Sequence, residues 1–298
     1  MNTDIAKLST EQRNPESMNL DQMTPLEICT LMNEQDSLVI QAVHEQLPSI
    51  AKASALAAEH LKKGGRLIYC GAGTSGRLGV LDAVECPPTF GVSSDTVVGL
   101  MAGGAGTMAH AKEDAEDHAE YGKEDLQNIH CNENDFVIGL AASGRTPYVI
   151  GALDYASSVG AATAAIACNS GSLIGKHADI AIEPVCGPEV LTGSTRLKSG
   201  TAQKMILNMI STSVMIQCGK VYQNLMVDVK PTNEKLVRRA ESIIMSATGC
   251  TQPEAEKARI ESDGHVKTAI VMKLKHCSRE QAEILLKNAE GFVSRAAE

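Results

Sequence analysis

Tryptophan is absent, and three phenylalanines and five tyrosines are the only other large aromatics in 298 residues. Glycine and alanine are plentiful instead, which suits close helix–sheet packing in an α/β protein. Basic residues are also in the minority: 27 Lys and Arg against 36 Asp and Glu leave a formal charge of −9. That balance argues against broad nucleic-acid binding and for a cytoplasmic enzyme. An anionic substrate would then need a locally built site. No pair of the nine cysteines has C-x-x-C spacing and their number is odd, so buried, reduced thiols are expected rather than a disulfide framework or a metal knuckle. The polar start "MNTDIAKLSTEQRNP" has no apolar h-region, and no apolar run reaches the roughly 18 residues that span a membrane. Neither a secretory signal nor a membrane partner is expected.

The length allows one domain and a smaller appendage. Residues 1–23 read as an irregular polar arm. Thr24-Pro25 reads as an N-cap and first helical residue, and an amphipathic pattern runs from Asp36 to Lys63, stopping at Gly64-Gly65. Five apolar runs follow: "RLIYC" (66–70), "TVVGLM" (96–101), "DFVIGLA" (135–141), "AATAAIAC" (161–168) and "ADIAIEP" (178–184). Each is followed by small residues and a helical pattern. Strands alternating with helices imply βαβ units. Runs that are continuous rather than alternating imply a sheet covered on both faces. The expected fold is therefore a three-layer αβα sandwich with a mainly parallel five-stranded sheet. A long helix is expected at about 196–219. From Glu234 onwards the pattern is helical to the end, broken at "TGCTQP", "SDGH" and "HCSRE". The expected divisions are 1–60 for arm and helices, 61–230 for the sheet domain and 231–298 for a helical tail.

One motif occurs twice. "LIYCGAGTSGR" and "FVIGLAASGRT" both run from strand to small residues to Ser-Gly-Arg. Two similar βα corners at the carboxyl edge of one sheet are expected, where open α/β folds bind ligands. A helix N-terminus offers unpaired N–H groups and partial positive charge to a phosphate. Gly71, Gly73, Thr74 and Ser75 fit the first corner. Ser143, Gly144, Arg145 and Thr146 fit the second. "GAGTSG" also satisfies G-x-G-x-x-G, but a dinucleotide site wants an acid at the end of the next strand. "TVVGLM" ends in "AGGAG", and Asp95 lies at its wrong end. A phosphate monoester suits the two hydroxyl-bearing corners better.

Glu85 ends the helical run "GRLGVLDAVE" and is followed by Cys86-Pro87-Pro88. The prolines are expected to stop the helix there. A carboxylate at a helix C-terminus is opposed by the macrodipole, and partial burial would favour its protonated form. That is the condition of a general acid. The segment 106–126 is rich in acids: Glu113, Glu116 and Glu120 share one face if it is helical. His110, Asp114 and His118 share another, but no further His or Cys is placed to complete a metal site. Residue logic alone leaves open which acid is catalytic.

Longer motifs carry a resemblance: "TEQRNPES" (10–17), "GAGTSGRLGVLDAVECPPTFG" (71–91), "AEDHAEYG" (115–122), "LAASGRTPYV" (140–149), "LTGSTRLKSGTAQKMILNMIS" (191–211) and "VYQNLMVDVKPTNEKL" (221–236). Over nearly its whole length the chain resembles the N-acetylmuramic acid 6-phosphate etherases, bacterial cell-wall recycling enzymes built on a sugar isomerase (SIS) domain. The tail resembles their UBA-like helical unit. The eukaryotic glucokinase regulatory protein shares this ancestry but is much longer and non-catalytic in this sense.

The resemblance implies cleavage of the D-lactyl ether at C3 of the sugar, giving N-acetylglucosamine 6-phosphate and D-lactate. It puts the catalytic acid on Glu85 and the second catalytic glutamate on Glu116. Opening the sugar ring sets C2 beside an aldehyde, so that a base can take its proton. Lactate then leaves if its oxygen is protonated, and water adds to the unsaturated aldehyde. Two carboxyls in opposite protonation states suffice, with Glu116 as base and Glu85 as acid, and no cofactor or metal is implied. Ser194 and Lys198, from "GSTRLKSG", are further candidates for substrate contact. A helix from Ser75 to Glu85 spans roughly 15 Å, too far for one compact sugar. Either the helix is short or bent and the second corner holds the phosphate, or Glu85 serves a neighbouring subunit in a homodimer. Two other readings remain: an aldose–ketose sugar-phosphate isomerase, and a sugar-phosphate-sensing regulator, although no helix-turn-helix pattern is present.

Overall fold

Capping chemistry sets the first helices. The Thr24 hydroxyl accepts from the Glu27 N–H and Glu27 Oε2 from the Thr24 N–H, a closed capping box at the start of α1 (Pro25–Glu45). Pro48 lies in the first turn of α2 (Leu47–Lys62). It has no N–H for the carbonyl four residues back, so the long helix expected from Asp36 to Lys63 is two helices parted at Gln46. The computed structural model describes residues 7–110, 113–229 and 233–298.

All five apolar runs are strands. The order along the chain is β1 (Leu67–Gly71), α3 (Gly73–Phe90), β2 (Val97–Met101), α4 (Ala119–Asn128), β3 (Phe136–Leu140), α5 (Pro147–Ser158), β4 (Ala162–Ile166), α6 (Leu173–Lys176), β5 (Ile180–Ile182) and α7 (Lys198–Gln217). The strands form one parallel sheet in the order β2-β1-β3-β4-β5. From β1 the chain goes outward to β2 and then returns to β3 on the other side. The connections therefore diverge at the β1/β3 seam, the place where open α/β sheets carry ligands. Gly71 pairs with Leu140, so the two seam strands end level. At the other end Arg66 clamps the same pair. Its backbone N–H donates to Asp135 Oδ1 at 2.9 Å and its Nη2 meets Oδ2 at 2.6 Å.

One face of the sheet packs Ile68, Cys70 and Val137 with Leu126, Val149 and Leu153 of α4 and α5. On the other side, the buried Asp82 of α3 accepts from Tyr69 Oη (2.8 Å), Asn208 Nδ2 (2.7 Å) and Ser211 Oγ (3.1 Å), joining β1, α3 and α7. The expected irregular arm instead forms short 3₁₀ turns over its described residues 7–23, with Thr10 and Asn14 buried, and residues 1–6 of that expectation lie outside the described residues. Asn14 is polar yet buried because Nδ2 donates to Gln35 Oε1 of α1 (2.9 Å) and to the Pro188 carbonyl (3.3 Å).

By compactness the chain divides into Met1–Val84 with Asp95–Ser211, and Glu85–Ser94 with Thr212–Glu298. The second unit holds a short hairpin, β6 (Val221–Tyr222) and β7 (Leu225–Met226). Five helices follow: α8 (Glu234–Thr248), α9 (Gln252–Glu261), α10 (Val266–Lys275), α11 (Arg279–Asn288) and α12 (Val293–Ala297). The expected breaks are helix ends: Gly249 takes the left-handed cap of α8, and capping boxes at Thr251/Glu254 and Ser278/Gln281 open α9 and α11. Ile244, Ile270, Val271 and Val293 lie in its core. All nine cysteines are free thiols and five are buried, but Cys29 is exposed on α1. Among the described residues no helix is long and apolar enough to cross a membrane.

α4 and α5 touch backbone to backbone through two glycines. A Cβ on Gly151 would overlap the Ala119 carbonyl, and one on Gly122 the Tyr148 carbonyl. Gly151→Ala must spread the helices and is expected to cost about 1–3 kcal/mol in urea unfolding. Gly106→Ala, with nothing within 4 Å of the added atom, is expected to be near neutral. Equal stability of the two variants would contradict the close crossing.

Candidate active site

The first corner leaves almost no linker between strand and helix. β1 ends at Gly71 and α3 starts at Gly73. A Cβ on Gly71 would lie 2.8 Å from the Gly76 nitrogen, and one on Gly76 2.6 Å from the Gly71 oxygen. Here the G-x-G-x-x-G spacing serves strand–helix approach, and it brings the first N–H groups of α3 to the sheet edge. Ser75 is buried, and its Oγ donates to Gln203 Oε1 of α7 at 2.8 Å. Gln203 is buried too, and its Nε2 has no hydrogen-bond partner among the described residues. Turning that amide over would let Nε2 donate to Ser75 Oγ and release the hydroxyl proton towards a bound anion.

The second corner is pinned from below. Gly144 has φ +74, and a Cβ there would lie 2.5 Å from Ser172 Cβ. Asn169, buried beyond β4, donates Nδ2 to the carbonyls of Ala142 and Ser143 at 3.3 Å each. Thr146 is the N-cap of α5, yet its side chain makes no capping bond. Because β1 and β3 are neighbours ending level, the two corners open into one cavity of about 540 Å³. Its wall includes Gly73, Thr74, Ser75, Ser143, Arg145 and Thr146. Arg145 is the single Lys or Arg among these lining residues, against Glu11, Glu116 and Asp117. Attraction for an anion therefore rests on the N-termini of α3 and α5 and on hydroxyl donors.

Glu116 lies on this wall, in a 3₁₀ turn (Glu113–Asp117). The chain extends at His118 before α4 begins, so the single helical face expected for Glu113, Glu116 and Glu120 does not form. Among the described residues no cluster of His, Cys, Asp and Glu is arranged to hold a metal ion.

Glu85 is not on the wall, and it is exposed. The helix does not stop at it: α3 runs through Pro87 and Pro88 to Phe90. The prolines remove two N–H donors, to the carbonyls of Ala83 and Val84, without ending the helix. The expected partial burial at a helix end is thus corrected to an exposed position well inside α3.

Ser194, Gly144 and Lys198 also lie off the wall, although Thr195 is on it. Lys198 is buried, its Nζ donating to Gln35 Oε1 at 2.8 Å. Burial pushes its pKa down, against the pull of Glu189. The N-terminus of α7 is already filled: the buried Glu189 carboxylate accepts from the N–H groups of Lys198 (2.9 Å) and Ser199 (3.0 Å) and from Ser199 Oγ (2.9 Å). In "GSTRLKSG" the first N–H groups of α7 are thus capped by an internal anion. Leu8, Glu11, Asp117 and Thr195 line the cavity and were not singled out from sequence. No chemical pattern marks them, although Glu11, Asp117 and Thr195 fall within "TEQRNPES", "AEDHAEYG" and "LTGSTRLKSGTAQKMILNMIS".

Similarity to known proteins agrees with this geometry. The glucokinase regulatory protein N-terminal SIS domain matches residues 49–157, and the SIS domain matches residues 115–213. A putative phosphosugar isomerase involved in capsule formation from Bacteroides fragilis aligns with a TM-score of 0.51, covering 67% of this chain and 95% of that one. At 19% identity it speaks for the fold alone. The N-acetylmuramic acid 6-phosphate etherase of Lactococcus lactis is 62% identical over 90% of both chains. That of Cronobacter sakazakii is 57% identical over 98% of both, and that of Photorhabdus laumondii 54% over 98% of this chain and 97% of its own. Identity at this level along nearly the full length means that the chain belongs to the N-acetylmuramic acid 6-phosphate etherase family.

Proposed function

We propose that the protein is a carbon–oxygen lyase of cell-wall recycling. It cleaves the D-lactyl ether of N-acetylmuramic acid 6-phosphate by elimination and hydration, releasing N-acetylglucosamine 6-phosphate and D-lactate. The observation that carries the reading is the presence of Glu116 on the same cavity wall as both hydroxyl-bearing corners. The phosphate binds at the corners, where Ser75, Ser143 and Thr146 add donors to the helix N-termini. The open-chain aldehyde then lies towards Glu116. Ionised, Glu116 takes the C2 proton, and the electron pair moves into the enolate. Its collapse expels the lactyl oxygen from C3, which takes a proton from Glu85. Water adds at C3 of the unsaturated aldehyde and the ring closes. The phosphate supplies binding energy remote from the reacting carbons.

Glu85 acts in the site of a second copy of the chain. Leu81, Val84 and Pro88 are exposed on the same side of α3 as Glu85, at i−4, i−1 and i+3, with Leu81 and Val84 49% and 57% exposed. An apolar stripe around a glutamate fits a homodimer face that would bury the carboxyl and favour its protonated form. The UBA-like reading of α8 to α12 is retained as part of this proposal.

Ser143→Ala and Thr146→Val are each expected to weaken substrate binding by about 1.5–3 kcal/mol, with a smaller effect on the chemical step. A Michaelis constant unchanged in both, where it reports binding, would move the phosphate elsewhere.

In deuterated solvent, Glu116→Gln is expected to lose both C2 exchange and D-lactate release. Glu85→Gln is expected to lose lactate release while keeping exchange, since proton removal precedes protonation of the leaving group. Wild-type exchange in the first variant, or full lactate yield in the second, would remove that residue from its role.

Subunit complementation tests the shared site. A Glu85→Ala chain and a Ser143→Ala/Thr146→Val chain, each nearly inactive, are dissociated, mixed and reassociated. Action in trans gives heterodimers one intact site and restores activity. Verified heterodimers that stay inactive would rule out the shared arrangement.

A further inference from the structure

Leu8 and Glu11 of the N-terminal arm form part of the wall of the cavity built by the two corners. The arm is held there by a chain of hydrogen bonds. Asn169 Nδ2, which also donates to the Ser143 carbonyl, donates to Thr10 Oγ1 at 3.1 Å. Thr10 Oγ1 in turn donates to Glu11 Oε1 at 3.4 Å. Ser9 Oγ closes the other side on Asn169 Oδ1 at 2.8 Å. One buried asparagine therefore fixes both the second corner and the carboxylate facing it. Glu11 is half-buried. A Cβ on Gly193 (φ +78) would lie 3.6 Å from its other oxygen, Oε2, so the loop leading to Thr195 runs directly beside the carboxylate.

We propose that Glu11 is a substrate-binding residue, its carboxylate accepting a hydrogen bond from a sugar hydroxyl or from the acetamido N–H. This deepens the etherase reading and rests on it. An ionised carboxylate is an acceptor only. The substrate's phosphate and lactyl carboxylate are anionic and are repelled by it, so its partner must be one of the neutral donors of the sugar. The group thereby acts with opposite sign on the two halves of the ligand: it holds the sugar and disfavours a bare anion in the same cavity. The arm is thus a specificity element that favours a phosphorylated sugar over inorganic phosphate.

The test is titration of the full-length protein with N-acetylglucosamine 6-phosphate, glucose 6-phosphate and inorganic phosphate. Glu11→Ala is expected to bind N-acetylglucosamine 6-phosphate at least about tenfold more weakly, and inorganic phosphate as well as wild type or better. Glu11→Gln keeps the shape of the wall and is expected to fall between, which guards against an effect of lost packing. Equal weakening for glucose 6-phosphate assigns the donor as a hydroxyl; weakening confined to the acetamido sugar assigns it as the amide N–H. Two folded variants that bind N-acetylglucosamine 6-phosphate like wild type would overturn the proposal. So would parallel loss of inorganic phosphate, which would reduce Glu11 to a support for the corner. Failure of wild type to bind any of the three ligands is a separate result and would overturn the phosphate site itself.

Discussion

Parallel pairing of β1 with β3 is the constraint on which the site depends. Neither corner is adjacent to the other in sequence, and neither alone encloses a cavity. Pairing Leu67–Gly71 with Phe136–Leu140 in register brings Ser75 and Ser143 to the wall of one cavity, and the Arg66–Asp135 bridge holds the opposite end of the same seam. The buried Asp82 then ties α3 and α7 to β1, so that the first corner is backed from behind by Tyr69, Asn208 and Ser211. Of these groups Asp82, Asp135, Tyr69 and Ser211 are buried, and each is satisfied by a partner from another element.

The electrostatics of the cavity are those of fixed dipoles. A wall with one arginine and three carboxylates does not attract phosphate through net charge. In the proposed reading the attraction comes from oriented N–H groups at two helix starts, which need no counter-ion and leave the acids available for hydroxyls and protons. α7 is the contrast within the same unit. Its N-terminus faces the Glu189 carboxylate, so the dipole is spent on the fold. Of three helix starts near one sheet edge, two open on the cavity and one is capped by the fold's own carboxylate.

The fold was legible where the signal was local and physical. Both-face burial writes itself as continuous apolar runs, and all five strands lie within one residue or so of those runs except at β5, which is shorter than "ADIAIEP". Thr24, Gly249 and Ser278 mark helix ends by chemistry that needs no tertiary information. The misreading of one long helix from Asp36 to Lys63 overlooked a local signal, Pro48, whereas the buried arm and Lys198 depend on tertiary partners invisible in sequence. Pro87 and Pro88 are accommodated within α3. Asn14 and Lys198 are buried on Gln35, a residue on another helix. Glu11 reaches the cavity because Asn169, far along the chain, holds Thr10. Glu116 could be matched to the cavity from motif similarity, whereas the 3₁₀ turn that carries it could not be distinguished from the start of a helix.

The arm also reverses the order in which the chain can be completed during synthesis. Ser9, Thr10 and Asn14 find their partners 159 to 174 residues later, at Cys168, Asn169 and Pro188. A nascent chain usually folds its earliest residues first. Here the turns from Ser9 to Asn14 can make these contacts only after β4 and the loop beyond β5 have been synthesised, although Asn14 finds Gln35 earlier, and only then can they close the wall of the cavity.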